Sequence, residues 1–291
     1  MRPTSPRVRP GPRRRAAQAA ISSWLLAGAV ACATTQPYLD PTGPRHAGVP
    51  TATASAPSSV DGLPERGTGP LTLQVASFNI QEGREIDGAL DVILGNPGLA
   101  EADFILLQEM DPRGTERIAA ALGMAWVYYP AGLRDGRGWG NAVLSRWPLE
   151  EDEKIVLPHQ AWLGGTRRIA TAVTARVGDV RVRVYSVHLA TPLNQSRGDR
   201  EDQLRTVLED AAPYAHVIIG GDLNSGSLAE VALGEGYQWP TREGPRTVWF
   251  SRVDHVLYKG LVPTWFGGAG TVTDNGGASD HLPVWARGRI R

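Results

Sequence analysis

The chain has 291 residues, with 30 Lys+Arg set against 30 Asp+Glu, so its formal net charge is zero. At 42% hydrophobic and 21% charged it has globular composition, which excludes collagen, coiled coil and wholesale disorder. No bulk positive charge is left for coating nucleic acid, and one cysteine forms neither an internal disulfide nor a Cys-based zinc site.

The zero is a sum of unlike parts. Residues 1–32 carry six arginines (Arg2, Arg7, Arg9, Arg13, Arg14, Arg15) and no acid, and the remainder has 24 basic against 30 acidic residues, a net of −6. A short apolar run, Trp24 to Ala31, follows the arginines and ends in Ala29-Val30-Ala31. That is the layout of a secretory signal, and it falls short of the ~20 residues a bilayer span needs. Cys32 comes next. The arrangement resembles a bacterial lipoprotein signal, in which that cysteine is lipidated, although Ala29 stands where leucine is usual. Ordinary cleavage after Ala31 suits the sequence as well. The expectation is export, as a secreted protein or as a cell-envelope lipoprotein attached to the membrane through Cys32.

Residues 33–70 contain seven prolines among Ala, Thr, Ser and Gly, with no apolar periodicity. Such a stretch buries too little surface to offset the entropy of ordering it, so it reads as a disordered, semi-extended linker, with an arm packed on the domain as the alternative.

From Leu71 the pattern changes and holds to the end, so 71–291 is one domain. Runs rich in Val, Ile and aromatics predict strands at 71–78, 104–109, 126–130, 140–146, 168–177, 180–189, 216–222, 252–258 and 281–287. Helical spacing predicts helices near 86–95, 114–122, 199–212 and 226–234. The alternation Arg181-Val182-Arg183-Val184-Tyr185 predicts a strand with one wet face. Many strands with few helices imply two packed sheets covered by helices, an α/β class.

Polar residues recur where these apolar runs end. Asn79 closes the first run, Glu109 the second, and His188 another; Asp222 and Asn224 close a fourth, Asp254 sits in a strand, and Asp280-His281 opens the last. Carboxylates gathered at one edge repel unless a cation sits among them. Oxygen donors from Asp, Glu and Asn suit a hard ion such as Mg²⁺, or Mn²⁺, better than Zn²⁺. Two histidines can move protons near neutral pH. Together they read as metal-assisted attack of water on a phosphate ester.

The segments Phe78-Asn79-Ile80, Leu107-Gln108-Glu109, Gly140-Asn141 to Ser145-Arg146, Ser186-Val187-His188-Leu189, Gly221-Asp222-Leu223-Asn224, Val253-Asp254-His255 and Ser279-Asp280-His281 resemble, in order, the endonuclease/exonuclease/phosphatase superfamily. The resemblance implies a DNase I-like, four-layer α/β/β/α sandwich. It also implies roles: Glu109 as principal metal ligand, with Asn79 and Asp280 completing the shell, and Asp254 orienting His281. Asp222 would position or activate the water, Asn224 would donate to a phosphate oxygen, and His188 would bind phosphate or protonate the leaving oxygen. The group that takes the proton differs among family members and is left open, and the residue orienting His188 is not identifiable in the sequence.

Three further residues are candidate substrate contacts. Arg167 and Arg168 offer two-pronged donation to phosphate or form a solvated pair, and Trp139, between two glycines, is a candidate rim aromatic or a buried packing residue. His46 lies in the linker, His159 and His216 match no family position, and alternation points His255 away from Asp254. No Gly-x-Ser-x-Gly elbow and no His-Glu-x-x-His occurs. Gln81 stands where abasic-site endonucleases carry an acid, which disfavours that activity. The expected protein is a monomeric phosphodiesterase acting on a lipid head group or other small diester. A nuclease, a phosphomonoesterase and a surface-anchored binding module are the alternatives.

Overall fold

A computed structural model describes residues 36–49, 71–264 and 267–291. The export segment, Cys32 and residues 50–70 lie outside the described residues. Strands β1 (Gln36–Pro37), β2 (His46–Gly48), β3 (Thr72–Asn79), β4 (Phe104–Met110), β5 (Ala125–Arg134), β6 (Arg137–Ser145), β12 (Leu261–Pro263), β13 (Ala269–Thr271) and β14 (Val284–Ile290) form one sheet. Its path is β1-β5-β6-β4-β3-β14-β12, with β2 on β5 and β13 on β14. The second sheet runs β11-β10-β9-β8-β7, from β7 (Leu149–Val156), β8 (Ile169–Val177), β9 (Val180–His188), β10 (Val217–Asp222) and β11 (Asp254–Lys259).

Period-two alternation sorts the side chains into three cores. In β4, Leu106 packs between the sheets with Val75, Val143, Val184 and Ile218. Its neighbours Ile105 and Leu107 face the opposite way, under α1 (Ile86–Gly95), α2 (Pro97–Ala100) and α3 (Pro112–Leu122). Tyr185, Val187 and Ile219 pack outward against Leu204 and Val207 of α4 (Arg197–Ala211) and Ala232 of α5 (Glu230–Leu233). The result is the expected α/β/β/α sandwich, a DNase I-like fold. α4 starts on a capping box, Ser196 with Asp199, and α3 on Asp111, which accepts from the backbone of Arg113 and Gly114.

Two expectations change. The outer face of β9 is dry at Arg183, which is 2% exposed. α4 covers it, and the guanidinium binds Glu153, Asp210 and the Tyr185 hydroxyl while lying over the Tyr214 ring. The second change concerns 36–49, read from its prolines as linker. This arm is packed: β1 and β2 pair with the free edge of β5, closing off its unpaired backbone groups. Arg45 grips Asp152 with both carboxylate oxygens at 2.6 Å, and buried Lys154 donates to the carbonyls of Tyr38 and Gly43. Side-chain clamps, invisible to periodicity, supply the ordering energy. Removing the arm strips Lys154 of both acceptors, so residues 71–291 should be less stable than 36–291 by about 2–3 kcal/mol, the range for charge-assisted bonds. Urea midpoints of the two fragments measure the difference, and equal midpoints would contradict the clamp. Among the described residues no helix is long and apolar enough to cross a membrane.

Candidate active site

Strand register assembles the site. Asp222 at the end of β10 pairs with His188 at the end of β9 on one side and with Asp254 at the start of β11 on the other. In the facing sheet, Asn79 at the end of β3 pairs with Gln108 of β4. Gly220 permits the approach of the two sheets, since a Cβ there would press on Leu106 of β4, while a Cβ on Gly221, at φ +149°, would collide with Val187 O of the neighbouring strand β9. The two sheet ends therefore meet, and Asn79 Nδ2 donates to Asp222 Oδ2 at 3.1 Å.

Asp222 is the hub. Its Oδ2 lies 3.3 Å from His188 Nε2 and 3.8 Å from His281 Nε2. Burial first, then the charge of Asp254, push its carboxyl up to about 7. His281 lies in the loop before β14 rather than inside the strand. Its backbone N–H donates to Ser279 Oγ, which itself donates to Asn79 O, and Asn275 Nδ2 donates to the carbonyl of His281. Its Nδ1 donates to Asp254 Oδ2 at 2.9 Å. Burial opposes the ring's charge, but Asp254, then Asp222 and Asp280, outweigh it and raise the imidazole to about 10. Asp254 is fixed in turn, since Thr247 Oγ1 accepts from the backbone N–H groups of Val253 and Asp254.

Glu109 reaches the same cluster through a bulge. The β4–β6 register shifts between Leu107 and Met110, and Glu109 takes a left-handed backbone, φ +56°. A non-glycine residue there is costly and marks a re-aimed side chain. Its Oε1 lies 3.9 Å from His188 Nε2. Among the described residues nothing donates a hydrogen bond to this partly buried carboxylate, while Asp222 nearby is forced toward its neutral form. Carboxylate oxygens left without a hydrogen-bond donor fit a hard divalent cation. Glu109, with the Asn79 amide oxygen and the exposed Asp280, would hold it. Asp222, Asp254 and His281 also bring ligand atoms within 4.8 Å of one another. There, however, Asp254 is already engaged by His281 Nδ1, so we read that trio as proton-handling.

The remaining candidates divide. Asn224 Nδ2 is committed to Leu189 O and Asp222 Oδ2, and its backbone N–H to Asp222 Oδ1, so it holds Asp222. Trp139 is no rim residue: it lies inside β6, 8% exposed, with its ring 5.6 Å from that of His188. Arg168 joins the cluster, 3.1 Å from His188 Nδ1, whereas no hydrogen bond or ion pair ties Arg167 to it. His255 faces away as expected, accepting from Trp239 Nε1 and donating to Ser225 O. Burial pulls it down to about 4, so it stays neutral and ties the Asn224–Ser225 loop to β11. His159 pairs with Asp202 at the surface. Sequence reasoning missed a buried support between the sheets. Gln108 donates to Ser186 Oγ, which donates to Leu107 O, and Asn141 Nδ2 donates to the carbonyls of Ile169 and Ser186. Both Gln108 and Asn141 stand in the quoted motifs, so their signal was present, whereas Thr247 left none.

Residues 76–281 match the Endonuclease/Exonuclease/phosphatase family, and the chain belongs to that family. Its members are phosphoester hydrolases, generally dependent on a divalent metal. Solved structures share the fold. An endonuclease/exonuclease/phosphatase from Beutenbergia cavernae is 21% identical, with a TM-score of 0.60 over 75% of this chain and 72% of that one. Danio rerio TDP2 complexed with a single strand DNA product is 19% identical, with a TM-score of 0.59 over 75% of this chain and 99% of that one. The human Nocturnin catalytic domain with bound sulfate anion is 18% identical, with a TM-score of 0.55 over 77% and 97%. No curated protein matches the chain.

Proposed function

We propose that the chain is a divalent-metal-dependent phosphodiesterase, working as an exported monomer, that attacks phosphorus with an activated water. The observation that carries the reading is Asp222, buried, shifted toward neutral pH and faced by the Nε2 atoms of two histidines. A carboxylate titrating near neutral pH is matched to taking a proton from water. The water oxygen bonds to phosphorus, its proton passes to Asp222, and the ester P–O bond breaks. His281, held charged by Asp254, is the group with a proton to give to a phosphate or leaving oxygen. A bound Mg²⁺ or Mn²⁺ would supply Lewis-acid stabilisation of the developing negative charge.

The surroundings favour a diester with apolar substituents. Trp162 and Leu163, 66% and 73% exposed, lie in the segment entering β8, and Leu193, 83% exposed, follows β9. Trp249 and Phe250, 87% and 59% exposed, lie in the segment entering β11. These segments adjoin the ends of β8, β9 and β11 that lie at the same end of the sheet as Asp222. The net of −6 beyond residue 32 disfavours a polyanion, so a lipid head group or small diester is preferred to nucleic acid.

The test is a panel of bis(p-nitrophenyl) phosphate, p-nitrophenyl phosphate, sphingomyelin and phosphatidylinositol vesicles, plasmid DNA and RNA, each with Mg²⁺, Mn²⁺ or EDTA. Diester turnover that EDTA abolishes is expected. EDTA-insensitive turnover, or turnover of the monoester alone, would sink the reading, and binding without turnover would indicate a binding module. Export is supported by the arginine-rich, apolar N-terminus. Mass spectrometry of the mature N-terminus separates lipidated Cys32, simple cleavage and no cleavage.

A further inference from the structure

The two histidines facing Asp222 have partners of opposite sign. His281 Nδ1 meets the Asp254 carboxylate, and His188 Nδ1 meets Arg168, with its NH1 nitrogen at 3.1 Å. A guanidinium carries donors only. His188 Nδ1 must therefore present its lone pair, because a proton there would set two N–H groups against each other. This removes the imidazolium and the Nδ1–H tautomer, leaving neutral imidazole with its proton on Nε2. The far side of the ring agrees, since Nε2 faces an acceptor, Asp222 Oδ2 at 3.3 Å.

Arg168 is itself held in place. Strand pairing delivers it beside His188, because Ala170, two residues on, pairs with Val187. Its guanidinium lies 4.8 Å above the buried Trp139 ring, which packs against His188 at 5.6 Å. Stacking on one face and donation at the edge use the planar fork as only arginine can.

We propose that Arg168 is a positioning residue that fixes His188 as a neutral imidazole protonated on Nε2, a hydrogen-bond donor to a phosphate oxygen. In that state His188 has no free lone pair for the attacking water's proton: Nε2 already carries hydrogen and Nδ1 is occupied. The opposite partners thus divide the labour: His188 donates from Nε2, and the water's proton is left to Asp222. The inference rests on the reading of His188 as an active-site group.

The experiment uses the full chain with ¹⁵N-labelled histidines, in EDTA at neutral pH, with His188 assigned by its loss in His188→Asn. Long-range ¹H–¹⁵N correlation is expected to show hydrogen on Nε2 and none on Nδ1. Arg168→Met should give mixed tautomers and lower kcat on an artificial diester by about 10- to 100-fold with KM little changed, as for other orienting partners. Arg168→Lys keeps a donor and should restore the Nε2–H form with part of the rate. Hydrogen on Nδ1 in the wild type, or an unchanged tautomer in Arg168→Met, overturns the proposal. So does a defect confined to KM, which would make Arg168 a substrate contact. The wild-type spectrum decides even where the methionine variant fails to fold. It also needs no turnover, so failure of the phosphodiesterase reading remains distinguishable.

Discussion

Replacing Asp254 by asparagine is expected to lower kcat by about 1,000- to 10,000-fold, the loss seen when a histidine's buried carboxylate partner becomes an amide. Asp254 is 1% exposed and accepts from His281 Nδ1 at 2.9 Å. An asparagine keeps the shape but removes the charge. It can turn an N–H toward the ring, which then carries its proton on the wrong nitrogen. Asp254 also raises both other titrating members of the cluster, so its loss should lower His281 and Asp222 together. His281 would hold its proton less firmly, and Asp222 would become a weaker base. The check is kcat on a diester in Mg²⁺ beside a melting curve. A fold that melts normally with kcat within a few-fold of wild type would remove the dyad from the mechanism.

The chain order of strands and helices was legible because most apolar runs keep period two or the helical spacing. The site was legible for a related reason: polar residues at the ends of apolar runs have few structural uses, and six such runs recur. What was hidden depends on partners distant in sequence. β7, Leu-Glu-Glu-Asp-Glu-Lys-Ile-Val, has no apolar run to predict it, yet it is the edge strand of its sheet, where charge is the ordinary protection. Arg183 reads as a surface residue and Trp139 as either a rim or a packed aromatic, and both are buried by elements that no local pattern announces. The β5–β6 connection was readable and overlooked. Asp135-Gly136, at φ +52° and +75°, is the two-residue hairpin turn that Asp-Gly specifies. Glu109 marks the limit of pattern reading. Its residue type pointed to the site, but the bulge and left-handed backbone that aim it are set by the shifted pairing of β4 with β6.

Glu109→Gln should separate a metal ligand from a structural ion pair. It keeps the length of the side chain and asks the same left-handed backbone of another non-glycine residue, so strain is matched. Turnover in Mg²⁺ is expected to fall by about 1,000-fold or more, corresponding to several kcal/mol of charge stabilisation. Stability gives a second, independent readout. A cation that binds only the folded wild type raises its unfolding free energy by about 2.7 kcal/mol at 100 times Kd. That Mg²⁺-dependent rise in Tm should vanish in the variant. In EDTA the variant should melt close to the wild type, because Glu109 accepts no hydrogen bond from the described residues and its substitution strands no donor. A structural ion pair predicts the reverse: a lower Tm in EDTA and an intact Mg²⁺ response. The two patterns exclude each other, so one set of melts decides whether the strained backbone at Glu109 serves cation binding or the fold.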